Sequence, residues 1–365
     1  MPDDLAPLVT ETVGDAADGW DTAGAIPVEL LRGLGAKGVL CAEVAAEHGG
    51  LGLSGAANGE LTAHTGALCS SLRSVMTSQG MAAWTIQRLG DRAQRAEHLA
   101  RLTGGDLAAV AFSEPGAGSD LAAVAAEIRP DGDHVVVRGV KTWITAAAYA
   151  DVVVVFGRYG GGAAAVVVPT SAPGVRVERV PSPMGCRAAG HSTVTLDDVR
   201  LPADAVLAAA GQPITMLTTI ALTYGRLSVA WGCVGILRAC LSAAVGHAKR
   251  REQFGARLLD HQLVARHVAE LYVAERTATH ACAEAAAAWD ARSPRQAAAA
   301  VLAKHVASGN AARGAASAVQ VLASAGAVDG HVVARAYRDA KLMEIIEGST
   351  EISQLILAEH AAATC

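Results

Sequence analysis

Two short segments of the sequence combine residues that could bind a ligand or move a proton. The first, Ser113–Asp120 (SEPGAGSD), is a glycine-rich stretch flanked by hydroxyl side chains. Such a stretch leaves backbone N–H groups free and lets a ligand approach the main chain closely. It suits a phosphate or a polar ring edge, and the alternative is an ordinary loop at a domain boundary. The second, Glu347–Glu351 (EGSTE), interrupts a helical run.

Glu347 is the side chain in the second segment that could accept a proton. Two isoleucines precede it and a glycine follows it, so its carboxylate could be poorly solvated. Burial raises the pKa of a carboxyl group and makes the carboxylate a better base. The residues alone nevertheless favour the simpler interpretation, an exposed glutamate at a helix end.

Other common chemistries lack their motifs. The sequence contains no GxxxxGK[ST] phosphate loop, no GxSxG nucleophile elbow and no CxxC pair. A GxGxxG pattern spans Gly33–Gly38, but the preceding residues have a helical pattern, which predicts a helix end and turn. The histidines are scattered and paired Glu-x-x-His ligands do not occur on two helices, so no metal is expected. Seven cysteines, an odd number, predict reduced and mostly buried thiols.

Composition excludes several classes of protein. Of 365 residues, 52% are apolar and 18% are charged, which supports a large core and argues against disorder. The net charge of −5 does not favour a nucleic-acid binder. A nearly uncharged stretch at 205–237 is broken by glycine, proline and threonines, so it predicts a helix buried in a bundle and no membrane span. The acidic N-terminus is no signal peptide, and we expect a cytoplasmic protein.

The elements that must position the two segments follow the order α, β, α. Residues 1–108 have helical patterns, including a helix opened by Asp91. Residues 109–210 contain short β-branched runs, which are 134–140, 151–157, 163–169, 175–180 and 193–199. Five or more strands without intervening helices predict an antiparallel sandwich or barrel. Residues 211–365 return to long alanine-rich helices near 227–250, 260–288, 295–328 and 333–346, which predict a four-helix bundle.

The Ser113–Asp120 and Glu347–Glu351 segments, in this order in an α-β-α chain, resemble motifs of the acyl-CoA dehydrogenase family of flavoproteins. The resemblance covers nearly the whole chain. The Ser113–Asp120 loop, with the two residues before it, matches the first signature of that family closely. The other matching segments are 47–53, 141–145, 250–255, 260–262, 338–341 and the Glu347 segment. The resemblance implies an α+β fold with an N-terminal helical domain, a middle antiparallel β-domain and a C-terminal four-helix bundle.

The resemblance also implies a bound FAD. Ser113 would bond the flavin ring, Gly118 and Ser119 would lie at the phosphates, and Trp143 and Thr145 would pack and bond at the isoalloxazine. In the family a neighbouring subunit completes the FAD site, so a homodimer or homotetramer is expected. Arg251, Phe254 and Gln320 match the positions that contact the FAD of a neighbouring subunit. Ser349 and Glu351 match cofactor contacts that follow the catalytic base of the family along the chain.

Glu347 matches the catalytic base of the family. A minority branch takes its base from a position that corresponds here to Gly225, which cannot serve. Glu347 would remove the α-proton of an acyl thioester while hydride passes to flavin N5, and hydrogen bonds to the thioester oxygen would stabilise the developing enolate. The electron acceptor implied is an electron-transfer flavoprotein or oxygen.

Several positions depart from the family pattern and bear on the substrate. Thr223 stands three residues before Arg226, where a polar or acidic residue often meets the substrate, and the 187–191 loop lacks the usual Ser-x-Thr. These departures favour a short, polar acyl group, with Arg226 and Thr223 as its predicted contacts. The chain is similar to enzymes of the family that make methoxymalonyl polyketide extender units on an acyl carrier protein. Ordinary short-chain acyl-CoA oxidation, a flavin oxidase or monooxygenase of the same superfamily, and a helical interaction protein without flavin are the alternatives.

Overall fold

The computed structural model describes residues 4–364, and helices form its first part. Asp91 caps the sixth helix as predicted: its carboxylate accepts from the Gln94 amide, and the Gln94 side chain accepts from the Asp91 amide. The GxGxxG pattern lies at the end of the third helix, with Gly38 in the left-handed region at φ 73°, so it forms the predicted turn. The helices are α1 Leu5–Val13, α2 Ala17–Ala23, α3 Val28–Ala36, α4 Gly55–Leu68, α5 Ser70–Leu89 and α6 Arg92–Thr103.

A seven-stranded sheet follows. Its strands are β1 Ala108–Ala111, β2 Glu127–Asp131, β3 His134–Ile144, β4 Val152–Tyr159, β5 Gly162–Pro169, β6 Val175–Arg179 and β7 Ser192–Pro202. All five predicted runs are strands, and β1 and β2 are additional. The sheet is mixed rather than wholly antiparallel, because β4 pairs in parallel with β1 along its first half and with β2 at its far end. The remaining pairs, β2–β3, β3–β7, β6–β7 and β4–β5, are antiparallel.

The C-terminal helices pack as a bundle. They are α7 Ile214–Arg250, α8 Gln262–Asp290, α9 Gln296–Leu322, α10 Val332–Met343 and α11 Thr350–Thr364, with a small hairpin of β8 Glu252–Gln253 and β9 Ala256–Arg257 after α7. Helices α7 to α10 pack on one another as the predicted bundle, and α11 packs on α9. Small residues allow close approach: a Cβ on Gly235 of α7 would lie 2.1 Å from the Ala63 carbonyl oxygen of α4.

Helix α7 is the core helix of the molecule. By length and mean hydropathy (1.6) it could cross a membrane, but 61% of that apolar window is buried inside the protein. It packs against α4, α5, α8, α9 and α10, which explains why its apolar residues extend around the helix. The expectation of a buried bundle helix is therefore confirmed, although the helix begins at Ile214 and not near 227.

The cysteines of the described residues are free and buried, as predicted from their number and spacing. They are Cys41, Cys69, Cys186, Cys233, Cys240 and Cys282. The prediction for Cys365 lies outside the described residues, as do the outermost limits, 1 and 365, of the predicted domains. Within 4–364, no group of three or more His, Cys, Asp or Glu side chains is placed to hold a metal ion.

Candidate active site

A cleft of about 720 Å³ lies where α5, the middle sheet and the α10–α11 turn meet. Both segments with candidate chemistry line this cleft, although 234 residues separate Ser113 from Glu347 along the chain. The predicted site residues that line it are Ser113, Gly118, Ser119, Trp143, Thr145, Glu347 and Ser349. The fold therefore brings one glycine-rich loop, one aromatic side chain and one candidate base to a common space.

The glycine-rich loop is held by a buried ion pair. The Lys141 ammonium lies 2.7 Å from the Glu114 carboxylate, which also accepts from the amides of Ala125 and Ala126. Burial opposes ionisation of Glu114, but these hydrogen bonds and the lysine charge hold the pKa of its carboxyl group below the usual value. The ion pair holds the start of the loop in place. There, the main-chain amide of Glu114 donates to the Ala117 carbonyl, and the Ala117 amide donates to the Glu114 carbonyl.

The far side of the loop leaves main-chain donors available. The amides of Gly118 and Ser119 donate to no other group within residues 4–364, and the position of a Cβ on Gly118 would be open space. Amides of this kind, facing a cleft, form a natural cradle for a phosphate. This part of the cleft fits the pyrophosphate of a dinucleotide.

An exposed aromatic ring and a hydroxyl group lie next to the loop. Trp143 is 52% exposed and has a left-handed backbone with φ 58°, which turns its ring into the cleft at the end of β3. Thr145 Oγ1 lies 3.2 Å from His191 Nδ1, and the Trp143 and His191 ring centroids are 5.9 Å apart. A large exposed tryptophan beside a hydroxyl fits a flat polar ring system such as a flavin.

Glu347 lies in the turn between α10 and α11 with φ 55°. Its side chain is partly buried, and its Oε2 atom is fully buried without a hydrogen-bond partner among residues 4–364. Burial raises the pKa of this carboxyl group to about 7, against the opposing positive charges of Arg226, Lys304 and Arg73. The interpretation of an exposed helix-end glutamate is therefore wrong, since the bundle covers the turn.

Two buried cations hold the turn that carries Glu347. Arg226 Nε donates to the Glu347 carbonyl oxygen at 3.0 Å, and Lys304 Nζ donates to the Gly348 carbonyl oxygen at 2.7 Å. Burial lowers the pKa of Lys304 to about 8. These bonds engage main-chain oxygens, so the Glu347 carboxylate stays free for chemistry.

Gly225 provides the space that the Glu347 carboxylate occupies. A Cβ at this position of α7 would lie 2.6 Å from Glu347 Oε2 and 2.7 Å from Met81 Sδ. The glycine at this position is therefore a steric requirement of the present placement of the Glu347 carboxylate.

Helix α5 supplies polar side chains that the sequence analysis did not single out. Ser74, Thr77 and Ser78 line the cleft, and the Thr77 hydroxyl lies 2.7 Å from that of Ser228 on α7. The guanidinium of Arg73, fully buried at the same place, contacts Thr77 and Met343. Hydroxyls spaced at helical intervals from 70 to 78 were the available signal.

Other predicted site residues do not line the cleft. Thr223 donates to the Thr219 carbonyl in its own helix, and Arg226 donates to the Glu347 carbonyl. Neither residue lines the cleft, and their contact with substrate stays a prediction. The predicted cofactor residues that lie elsewhere on the surface are Arg251, Phe254, Gln320 and Glu351. Phe254 is 98% exposed on the β8–β9 hairpin.

Comparison with known protein families matches the chain over nearly its whole length. Residues 3–106 match the family model of the acyl-CoA dehydrogenase N-terminal domain. Residues 109–199 match the middle domain, and residues 215–362 match the C-terminal domain.

Individual relatives agree with this result. The short-chain specific acyl-CoA dehydrogenase, mitochondrial, of Bos taurus is 33% identical over 346 residues, covering 92% of this chain and 82% of the relative. Butyryl-CoA dehydrogenase from Megasphaera elsdenii is 25% identical with a TM-score of 0.94, covering 99% of each chain. FkbI, described as serving biosynthesis of the methoxymalonyl extender unit of the Fk520 polyketide, is 62% identical with a TM-score of 0.95, covering 99% of each chain.

Proposed function

The chain belongs to the acyl-CoA dehydrogenase family, and we propose that it oxidises a short, polar acyl thioester carried by an acyl carrier protein, with Glu347 as the base. It is an FAD-dependent enzyme, as the family is. The observation that carries the assignment is the Glu347 carboxylate, which lies in the same cleft as the Trp143 ring and has a buried, unpartnered oxygen.

Glu347 has the properties that proton abstraction requires. An α-C–H beside a thioester is a weak acid, and a carboxylate with a pKa near 7 is a stronger base than an ordinary surface glutamate. Bound FAD supplies the acceptor for the hydride from the β-carbon. Arg226 and Lys304 hold the turn through its main-chain oxygens, so Glu347 Oε2 is presented without a hydrogen-bond partner among residues 4–364.

The polar wall of α5 supports a short, polar acyl group. Ser74, Thr77 and Ser78 present hydroxyls where a fatty acyl chain would need apolar contacts. Met81 and Met343 also line the cleft beside Glu347. Each of the three hydroxyls already donates to a main-chain carbonyl oxygen and keeps the capacity to accept a hydrogen bond, which suits an acyl group that carries a hydroxyl of its own.

The likeness to FkbI supports a role in making a methoxymalonyl extender unit, and the resemblance to family members that make such units on an acyl carrier protein is the reason for proposing a carrier as the donor. We therefore place the enzyme in the formation of methoxymalonyl-type polyketide extender units. CoA and a carrier protein present the same pantetheine arm, so the cleft itself does not distinguish them. An electron-transfer flavoprotein or oxygen would then accept the electrons.

Arg251, Phe254 and Gln320 support an assembly in which one subunit completes the FAD site of another. They lie outside the cleft of their own chain, and the phenylalanine ring is almost wholly exposed. A homodimer or homotetramer would bring a second copy of these side chains to the cofactor.

The test is to present one short hydroxyacyl group on its cognate carrier protein and on CoA and to follow flavin bleaching anaerobically. We expect faster reduction with the carrier form, by at least about tenfold at low concentration, because protein contacts speed productive encounter. A long saturated acyl-CoA is the control for ordinary fatty acyl oxidation and should react slowly. Equal or faster turnover of the CoA form, or efficient turnover of the long chain, would contradict the carrier assignment.

A further inference from the structure

His191 is a buried imidazole at the Trp143 and Thr145 side of the cleft. Its Nδ1 atom lies 3.2 Å from Thr145 Oγ1 and its ring is 5.9 Å from that of Trp143. We propose that His191 is a positioning residue, which donates from Nδ1 to Thr145 and thereby leaves the Thr145 hydroxyl proton available to the flavin. This inference rests on the proposed placement of the flavin ring beside Thr145.

The backbone holds the imidazole at a fixed place. The amides of Ala146 and Ala148 donate to the carbonyls of Ala189 and Gly190 at 2.9 and 3.2 Å, so the segment before His191 is tied to the one after Thr145. Gly190 has φ 69°, and a Cβ there would lie 2.6 Å from the Tyr149 ring. The contact between His191 and Thr145 is therefore built into two joined chain segments.

The donor in the hydrogen bond between His191 and Thr145 is decided by which ring nitrogen of His191 carries the proton. The Nε2 atom of His191 is buried and has no hydrogen-bond partner in the described part of the chain. If Nε2 carried the proton, an N–H group would be buried without an acceptor, which is rare, and the Thr145 hydroxyl would donate to Nδ1. If Nδ1 carries it, only an acceptor is left unpaired, and Thr145 keeps its proton for a ligand in the cleft.

A neutral ring agrees with this arrangement. Burial, together with the positive charge of Arg73, lowers the pKa of His191 to about 4. The imidazole therefore has one N–H group at neutral pH, and His191 acts through Thr145 as a hydrogen-bond partner and not as a cation.

The experiment measures the reduction potential of the bound flavin by anaerobic titration with a chemical reductant, so no acyl thioester is needed. A hydrogen bond donated to the ring stabilises the electron-rich reduced flavin, so its loss should make the potential more negative. We expect this shift in Thr145→Val, and a smaller shift of the same sign in His191→Leu, where the threonine hydroxyl keeps its proton but loses the partner that orients it. The double variant should shift no further than Thr145→Val, because His191 acts only through the Thr145 hydroxyl.

His191→Asn is the matched control, since its amide can donate from nearly the position of Nδ1, and it should restore the wild-type potential and the wild-type visible spectrum. Three results would overturn the proposal: an unchanged potential in His191→Leu, additive shifts in the double variant, or loss of FAD in His191→Leu but not in Thr145→Val. Because the titration uses no substrate, these results are independent of whether CoA or a carrier protein delivers the acyl group.

Discussion

At the scale of single residues, the proposed chemistry depends on how Glu347 is solvated. One carboxylate oxygen is buried without a partner, and the positive groups around it bond the main chain of its turn. Burial has the larger effect and raises the pKa to about 7. The neighbouring cations limit this rise, so the group is an effective base at neutral pH without becoming permanently protonated.

The pH dependence of substrate oxidation should report this pKa. Glu347 must be ionised to accept the α-proton, so the second-order rate of flavin reduction should be level above about pH 7 and fall about tenfold per pH unit well below it. Stopped-flow absorbance at low thioester concentration measures it. Chemical reduction of the same flavin needs no base and should show no such inflection. A substrate rate that is flat from pH 5 to pH 8 would be inconsistent with the raised pKa.

At the scale of elements, the site depends on the fit between α7 and the α10–α11 turn. Gly225→Ala would place a methyl group 2.6 Å from Glu347 Oε2, so the carboxylate or the turn must move. Displacement of a catalytic group by about 1 Å can lower activity by about 10²-fold. We expect such a loss in the rate of flavin reduction, while FAD content stays normal.

Gly246→Ala is the matched control in the same helix, because its Cβ would meet only the flexible end of Arg250. It should retain activity and gain slightly in stability, since alanine is the better helix former. Equal activity of the two variants would show that the fit at Gly225 does not matter.

The order of the helices and strands could be predicted from the sequence, but the α5 hydroxyls that line the cleft could not. β-branched runs and alanine-rich periodicity indicated the α, β, α order, and the motifs indicated Ser113 and Glu347. The hydroxyls of α5 form a stripe at helical spacing that is typical of a solvent-exposed face, yet Ser70, Ser74 and Thr77 are buried. Only tertiary packing shows that this stripe faces a cleft, and the same holds for the parallel pairing of β1 with β4.

At the scale of the whole molecule, part of the predicted FAD site lies outside the cleft. The residues predicted to contact the flavin ring and the phosphates line the same cleft. Arg251 and Phe254 lie instead at the hairpin after α7. Other apolar side chains on the bundle surface are also exposed, among them Leu263, Tyr272 and Val273. This distribution supports assembly through the helical bundle.

Arg251→Ala should therefore weaken FAD binding and assembly together. A guanidinium that reaches the pyrophosphate of a neighbouring subunit would supply a charge-assisted, bidentate contact. Analytical ultracentrifugation and the flavin-to-protein ratio measure the two effects. Arg250→Ala, one residue earlier and also exposed, should change neither. A wild-type monomer with FAD fully bound would contradict this account of the assembly.

The most direct test of the central claim is anaerobic mixing of Glu347→Gln with the short acyl thioester, compared with the wild type. Glutamine has nearly the same shape and leaves FAD binding and the fold intact, but it cannot accept the α-proton. We predict that flavin bleaching by the substrate slows by at least about 10² to 10⁴, the usual contribution of a general base. Near-normal reduction of the flavin in this variant would remove Glu347 from the mechanism.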